Sequence, residues 1–214
     1  GGVLGVRPVE LVYFQVDSSS KLNSVFRDIA DDPDFVAVIG PATAEQSIDA
    51  ARLFSSNDIV MLTPTSTASE IYRKFGDNNF VWRTVESDIA LTEKMMLSAW
   101  ASNANKVALL TTFSLYGSTF FDWFGFLAVE VGYPTDDIHV GRYGLEDTDP
   151  TTDCINSVDE LLANVPDVLF AVAESADQIG CIVQAVNNFN ATNGTSVRLS
   201  FTGSGYRADV LSGL

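Results

Sequence analysis

Residues 35–70 read FVAVIGPATAEQSIDAARLFSSNDIVMLTPTSTASE. The run 35–39 is short, apolar and stops at Gly40-Pro41. Residues 44–55 follow with helical spacing, carrying Ile48, Ala51, Leu53 and Phe54 on one side. A second apolar run, 59–62, stops at Thr63-Pro64-Thr65-Ser66-Thr67, and residues 68–75 are again helix-patterned. Runs this short and this rich in Val, Ile and Leu fit strands buried on both faces. The order is therefore strand, turn and helix N-terminus, twice in succession. Free backbone N–H groups at such an N-terminus, with Thr and Ser hydroxyls beside them, suit a carboxylate or another anion. The same hydroxyls also suit plain helix capping.

Working outward, the rest of the chain repeats the alternation. Residues 9–16, VELVYFQV, are expected to form a strand after a loop at 1–8, and Asp17-Ser18-Ser19-Ser20 to cap a helix over 21–30. Residues 80–83 read as a short strand, 89–101 as a long helix and 106–112, KVALLTT, as a buried strand. A helix over 118–131, a strand over 138–143, an acidic loop over 146–153 and a helix over 154–163 come next. A strand at 167–173, a helix at 176–189, a polar loop at 191–196 and a strand at 197–202 complete the series. Strand and helix alternating at this spacing point to an α/β fold with parallel strands and right-handed crossovers. Ligands of such sheets sit outside the carboxyl ends of the strands, and here those ends are rich in small polar residues.

The 214 residues allow one large or two small domains, and a hydrophobic fraction of 46% allows a sizeable core. A formal charge of −16, with acids spread along the chain and no basic cluster, argues against nucleic acid. The acidity bears on solubility and long-range field rather than on fold. No CxxC or Cys/His spacing exists, and with His139 the single histidine a zinc site is not expected. Cys154 and Cys181 fit either one disulfide in an oxidising compartment or two buried thiols. No cofactor is implied: there is no GxGxxG, no GxxxxGK[ST] and no paired nucleophile and base, which counts against an enzyme on a doubly wound sheet, for example a flavodoxin-like or nucleotide-using one. No apolar run reaches the roughly 18 residues of a membrane span, and no signal peptide is visible.

Five quoted stretches carry a resemblance. VAVIGPATAEQ (36–46), IVMLTPTSTASEIY (59–72), NNFVWRTVESD (78–88), KVALLTTFSLYGSTFFDWF (106–124) and the opening GGVLGVRPVELVYF (1–14) resemble the type I periplasmic binding proteins. Within them the series looks most like the branched-chain amino acid (Leu/Ile/Val) binding protein family, which also includes some receptor ligand-binding domains. The resemblance runs from Gly1 to about Gly205. It implies two lobes of parallel three-layer αβα architecture, joined by a hinge and closing on a ligand. Residues 1–84 would be part of the first lobe, lacking its first strand and its return from the second lobe. Residues 85–214 would be most of the second, so the chain is expected to be a truncated fragment. A first lobe without its first strand would leave an exposed sheet edge open to self-association.

The resemblance also assigns binding residues. The turn after the Thr-Pro strand holds the ligand carboxylate in that family, which points to Thr65, Ser66 and Thr67. The facing turn contributes Thr43 and Ala44, where the family often has a serine in place of Ala44. Tyr116 matches an aromatic that covers the ligand; the alternative is a tyrosine packed at a strand end. Glu174 ends a strand and either pairs with an ammonium group or is an acid stabilised at a helix N-terminus. The family places an acid after the last strand of the second lobe, where this chain has Gly203-Ser204-Gly205, leaving Ser204 as the candidate there.

Other conspicuous residues read as structural: the aromatic run 120–126 and Met95-Met96 as core, His139 as a bystander, and Arg83 as a salt-bridging residue at the lobe crossing. Two N-glycosylation patterns, at Asn190 and Asn193, have no meaning in a bacterial protein. The expected function is a non-catalytic, periplasmic or cell-surface solute receptor, secreted or lipid-anchored. It would bind a small, carboxylate-bearing molecule such as an amino acid and serve an ABC-type permease or a sensor protein. The alternative is an envelope protein-interaction module that uses the same fold without small-ligand transport.

Overall fold

The computed structural model describes residues 2–3, 7–16, 19–144 and 150–203. Strands β1 (Gly2–Val3) and β2 (Arg7–Pro8) form a minimal antiparallel pair inside the segment expected to be loop. Helix α1 (Ser19–Asp31) follows, then β3 (Ala37–Ile39), α2 (Ala44–Ser56), β4 (Val60–Thr63), α3 (Ser69–Phe75) and β5 (Val81–Arg83). The remainder is α4 (Asp88–Ala101), β6 (Val107–Thr112), α5 (Leu115–Val131), a 3₁₀ turn (Thr135–Asp137) and β7 (Ile138–Tyr143), then α6 (Pro150–Leu162), β8 (Val168–Ala171), α7 (Ala176–Asn193) and β9 (Arg198–Phe201).

Two parallel sheets result. The first has the order β3-β4-β5 and the second β7-β6-β8-β9. In the second sheet β6 is buried along its whole length: an apolar run at 107–110 ends in the buried Thr111 and Thr112. One face packs on Met95, Met96, Phe120 and Phe124 of α4 and α5. The other packs on Cys154, Val158, Leu162, Ile179 and Ile182 of α6 and α7. Phe120, Phe124 and both methionines are core, as the sequence implied, but Phe121 and Phe126 of the same aromatic run are exposed, because a helix packed on one side turns part of any continuous run to solvent. Because α5 and α6 lie on opposite faces, the strand order reverses between β6 and β8. That places a crevice at the carboxyl ends of these two strands.

The first sheet packs Val38, Met61 and Val81 against Phe26, Ile48, Phe54 and Phe75 of α1, α2 and α3. The register sets Ile39, Leu62 and Trp82 side by side on its other face, where Ile39 is 69% and Trp82 56% exposed. β3 is a sheet edge.

Residues 9–16 are not a strand. They join no sheet, and Tyr13 is 88% exposed. Alternation alone cannot hold an extended segment without a ladder partner; its Phe14 ring rests near Phe35, centroids 5.9 Å apart. The acidic loop is shorter than expected, since α6 already begins at Pro150, and residues 145–149 lie outside the described residues. Helix α7 runs on through the supposed loop to Asn193. It ends at Gly194 in the left-handed conformation (φ 63°), a position that favours glycine.

Cys154 and Cys181 are joined as a disulfide, 27 residues apart, that ties α6 to α7. No helix among the described residues is long and apolar enough to cross a membrane.

Candidate functional site

Every placed candidate lies at the carboxyl end of a parallel strand. At the first sheet, Gly40 takes φ +117° and turns the chain out of β3. Thr43 caps α2, its Oγ1 accepting from the Gln46 amide at 3.3 Å. Ala44 is buried in the first turn of α2 and brings only its backbone N–H. Thr65 reaches across and donates to the Ala42 carbonyl at 2.8 Å, joining the two turns. Beneath them Thr63 and Ser47 both donate to the Pro41 carbonyl at 3.3 Å. Ser66 is 2% exposed, and its hydroxyl has no hydrogen-bond partner. The amides of Ala44, Glu45, Thr65 and Thr67 have none among the described residues either.

Thr67 behaves differently from the expectation of a free hydroxyl. It donates to Asp88 Oδ2 at 2.6 Å. Asp88, 2% exposed, opens α4, and its amide donates to the Thr67 carbonyl at 3.3 Å. Arg83 does not close a contact ion pair. Its Nη1 donates to the carbonyls of Thr67 and Ala68 at 2.9 and 3.1 Å. Burial pushes the Asp88 carboxyl up to about 6, against the opposing pull of the Thr67 hydroxyl and the Arg83 charge. The Thr65–Thr67 turn is thus pinned to the start of α4.

At the second sheet, Ser114 caps α5 and accepts from the Gly117 amide at 3.0 Å. Tyr116 follows in the first turn, half-buried, its ring edge-on to Phe120 at 5.2 Å. A Cβ on Gly117 would lie 2.5 Å from the Thr112 carbonyl oxygen, so only glycine lets α5 start this close to β6. Glu174 follows β8 on the adjacent strand. Its Oε1 accepts from Thr112 Oγ1 at 2.8 Å and Ser114 Oγ at 2.7 Å. Ser175, not Glu174, caps α7. The Glu174 carboxylate therefore points to the β6–α5 turn and away from the α7 amides. Ser204 and Gly205 lie outside the described residues.

The two clusters meet. Glu45 Oε1 accepts from the Leu115 amide at 2.9 Å, joining the starts of α2 and α5. The Ser69 amide donates to Thr119 Oγ1 at 3.1 Å, joining α3 to α5. Sequence reasoning missed Glu45, Asp88, Thr112 and Ser114. Asp88 and Ser114 are visible in sequence only as cap-region residues, and their contacts span 21 and 60 residues.

No family model and no curated protein sequence matches the chain. Solved structures do. A leucine-binding protein from Thermotoga maritima superposes with a TM-score of 0.73 at 18% identity, over 92% of this chain and 52% of that one. A solute-binding protein from R. palustris, solved with 4-hydroxybenzoate, gives 0.72 at 16% identity, over 88% and 49%. An ABC transporter substrate-binding protein from Desulfitobacterium hafniense, solved with Leu, gives 0.64 at 22% identity, over 87% and 52%. The chain has the type I periplasmic binding protein fold. It spans about half the length of these structures. In the type I fold the described cluster occupies the strand ends of two separate sheets, the place where an α/β sheet takes its ligand. His139 sits half-buried on β7, away from these ends, with Nε2 lacking a partner. No group of three or more metal-ligating side chains occurs among the described residues.

Proposed function

We propose that this chain is the ligand-gripping part of an extracytoplasmic solute-binding protein. Residues 1–84 are read as part of a first lobe and 85–214 as most of a second, closing on a small molecule between the carboxyl ends of their sheets. One observation carries this: two sets of polar strand-end turns, from separate sheets, converge at the Glu45–Leu115 hydrogen bond. A cleft with few, well-placed polar groups is the usual form of a small-molecule site.

A solute carboxylate has donors on the first-sheet side. These are the uncommitted amides of Ala44, Glu45, Thr65 and Thr67, and the hydroxyls of Thr43 and Ser66. Two N-termini add their positive dipole ends. Tyr116 would cover the solute from the second-sheet side. Delivery to an ABC-type permease or a sensor protein, at a periplasmic or cell-surface location, is the role we read for this fold, and the disulfide supports an oxidising compartment. No catalytic role is proposed. The edge of β3, between exposed Val36 and Ile39, is where self-association is expected.

The alternative, an envelope protein-interaction module, is favoured by one observation, the open apolar row Ile39, Leu62 and Trp82.

A thermal-shift screen with amino acids, small carboxylates, 4-hydroxybenzoate and 3,4-dihydroxybenzoate tests the function. A solute receptor is stabilised by mass action at saturating ligand. A flat response to the whole panel, with a protein partner co-purifying, would favour the interaction module.

A further inference from the structure

Resting on the solute-binding function proposed above, we propose that Asp88 is a positioning residue that couples the binding of an anionic solute at the 65–67 turn to the uptake of one proton. It acts through Thr67, by deciding where that hydroxyl sends its single hydrogen.

The turn brings three hydroxyls to the end of β4. Each has one hydrogen to give. Thr65 gives its hydrogen to the Ala42 carbonyl at 2.8 Å. The Ser66 hydroxyl is buried without a partner. Thr67 gives its hydrogen to Asp88 Oδ2 at 2.6 Å. An ionised carboxylate only accepts. While Asp88 is charged, Thr67 is therefore held as its donor and has only lone pairs left for a solute. An anion brought to Thr67 meets an acceptor and, behind it, a buried negative charge.

A proton on Asp88 reverses the bond. The acid O–H donates to Thr67 Oγ1 across the same short distance, and the Thr67 hydrogen is released to the solute. The buried charge disappears in the same step. Both changes favour an anion. By linkage, the proton raises the affinity of the turn for the anion by the factor with which the anion raises the affinity of Asp88 for the proton.

The surroundings fit Asp88 for this exchange. Its amide donates to the Thr67 carbonyl at 3.3 Å, and Thr92 Oγ1 donates to its own carbonyl at 2.7 Å. These bonds hold it against the turn where the chain passes from β5 to α4. Arg83 spends Nη1 on the Thr67 and Ala68 carbonyls rather than on the carboxylate. Burial holds the carboxyl at about 6, against the Thr67 hydroxyl and the Arg83 charge, so the proton exchanges close to neutrality. Of the charged groups on the elements around it, Arg83 of β5 acts on Asp88. Glu70 of α3 is engaged by Arg73 and Lys74 at 2.7 and 2.9 Å. Glu86 before α4, Glu93 and Lys94 on it and Asp122 on α5 are exposed to solvent.

Isothermal titration calorimetry on the intact 214-residue chain tests the coupling, with L-leucine and 4-hydroxybenzoate as probes at pH 5.5 and 7.5, where both carboxylates are ionised. Affinity is expected to be roughly fivefold higher at pH 5.5. Titrations at pH 6.5 in buffers of different ionisation enthalpy are expected to show uptake of roughly half a proton per solute bound. Asp88→Asn carries an N–H donor beside its oxygen and so releases the Thr67 hydrogen without a proton. It is expected to bind at pH 7.5 as tightly as the unaltered chain does at pH 5.5, with no proton uptake; loss of a merely structural residue would weaken binding instead. Proton uptake is measured on the unaltered chain, so a variant that fails to fold leaves the test standing. Affinity that is equal or higher at pH 7.5, or the absence of proton uptake, overturns the coupling and leaves the solute-binding function intact. A folded Asp88→Asn that binds no tighter at pH 7.5 than the unaltered chain does the same. Binding of neither probe at either pH overturns both.

Discussion

The Glu45 carboxylate and the Leu115 amide are 2.9 Å apart, and with that one hydrogen bond the helix leaving the first sheet touches the helix leaving the central strand of the second. Glu45 lies in the first turn of α2, while the amide it accepts from opens α5. A carboxylate is well placed at such an N-terminus. Glu45→Ala is expected to lower stability by about 1 kcal/mol. It should also speed hydrogen exchange at the Leu115 amide, since both groups are exposed enough for water to replace the bond. Unchanged exchange at Leu115 would mean that the contact does not form in solution.

Asp88 predicts a pH dependence. Its carboxyl is raised to about 6 in the folded protein, so the native state binds the proton more tightly than the unfolded chain. Its contribution is fully present below the ordinary aspartate range. It is lost as pH rises through about 6. Asp88→Asn keeps an acceptor for Thr67 and removes the titration. Relative to wild type, the variant should gain stability between pH 4 and pH 7.5, on the order of 2–3 kcal/mol. Urea melts across that range measure it, and parallel pH profiles for the two proteins would contradict it.

Gly117 predicts a cost of overpacking. A methyl group there meets the Thr112 carbonyl and both threonine hydroxyls of the β6 end. Gly117→Ala should destabilise the chain by roughly 1–3 kcal/mol and disturb the Ser114–Glu174 contact, which a weakened response to leucine would report. A neutral substitution would place α5 farther from β6 than described.

The disulfide predicts a redox effect on stability. Cys154 and Cys181 close a loop across a separation of 27 residues between α6 and α7. Replacing both by alanine should cost roughly 2–4 kcal/mol. Thiol titration of the denatured, unreduced protein should find no free thiol; two would show that the pair is reduced.

Sequence and structure agree where the signal is local. The apolar runs at 35–39, 59–62 and 106–112 are strands as expected, but only 106–112 is buried on both faces; β3 is an edge strand with Ile39 exposed, and β4 buries alternate residues. Thr43, Thr65 and Tyr116 fall at strand ends because each follows such a run directly. Agreement fails where a partner elsewhere decides. Residues 9–16 carry a strand pattern and find no ladder. Thr67 has the residue type of a carboxylate donor, yet its hydrogen goes to an aspartate 21 residues away. The direction of the Glu174 carboxylate is set by the hydroxyls of Thr112 and Ser114, some 60 residues earlier. Hydroxyl direction is a tertiary property, and no spacing rule encodes it.

The central claim is that a small solute is gripped between the carboxyl ends of the two sheets. Hydrogen–deuterium exchange with and without saturating L-leucine, or the panel compound that raises the melting temperature most, tests it directly. Protection is expected in three segments together, residues 40–46, 63–68 and 112–117, with Glu174 and its neighbours joining them. Protection confined to other segments, or none at saturating solute, would contradict it.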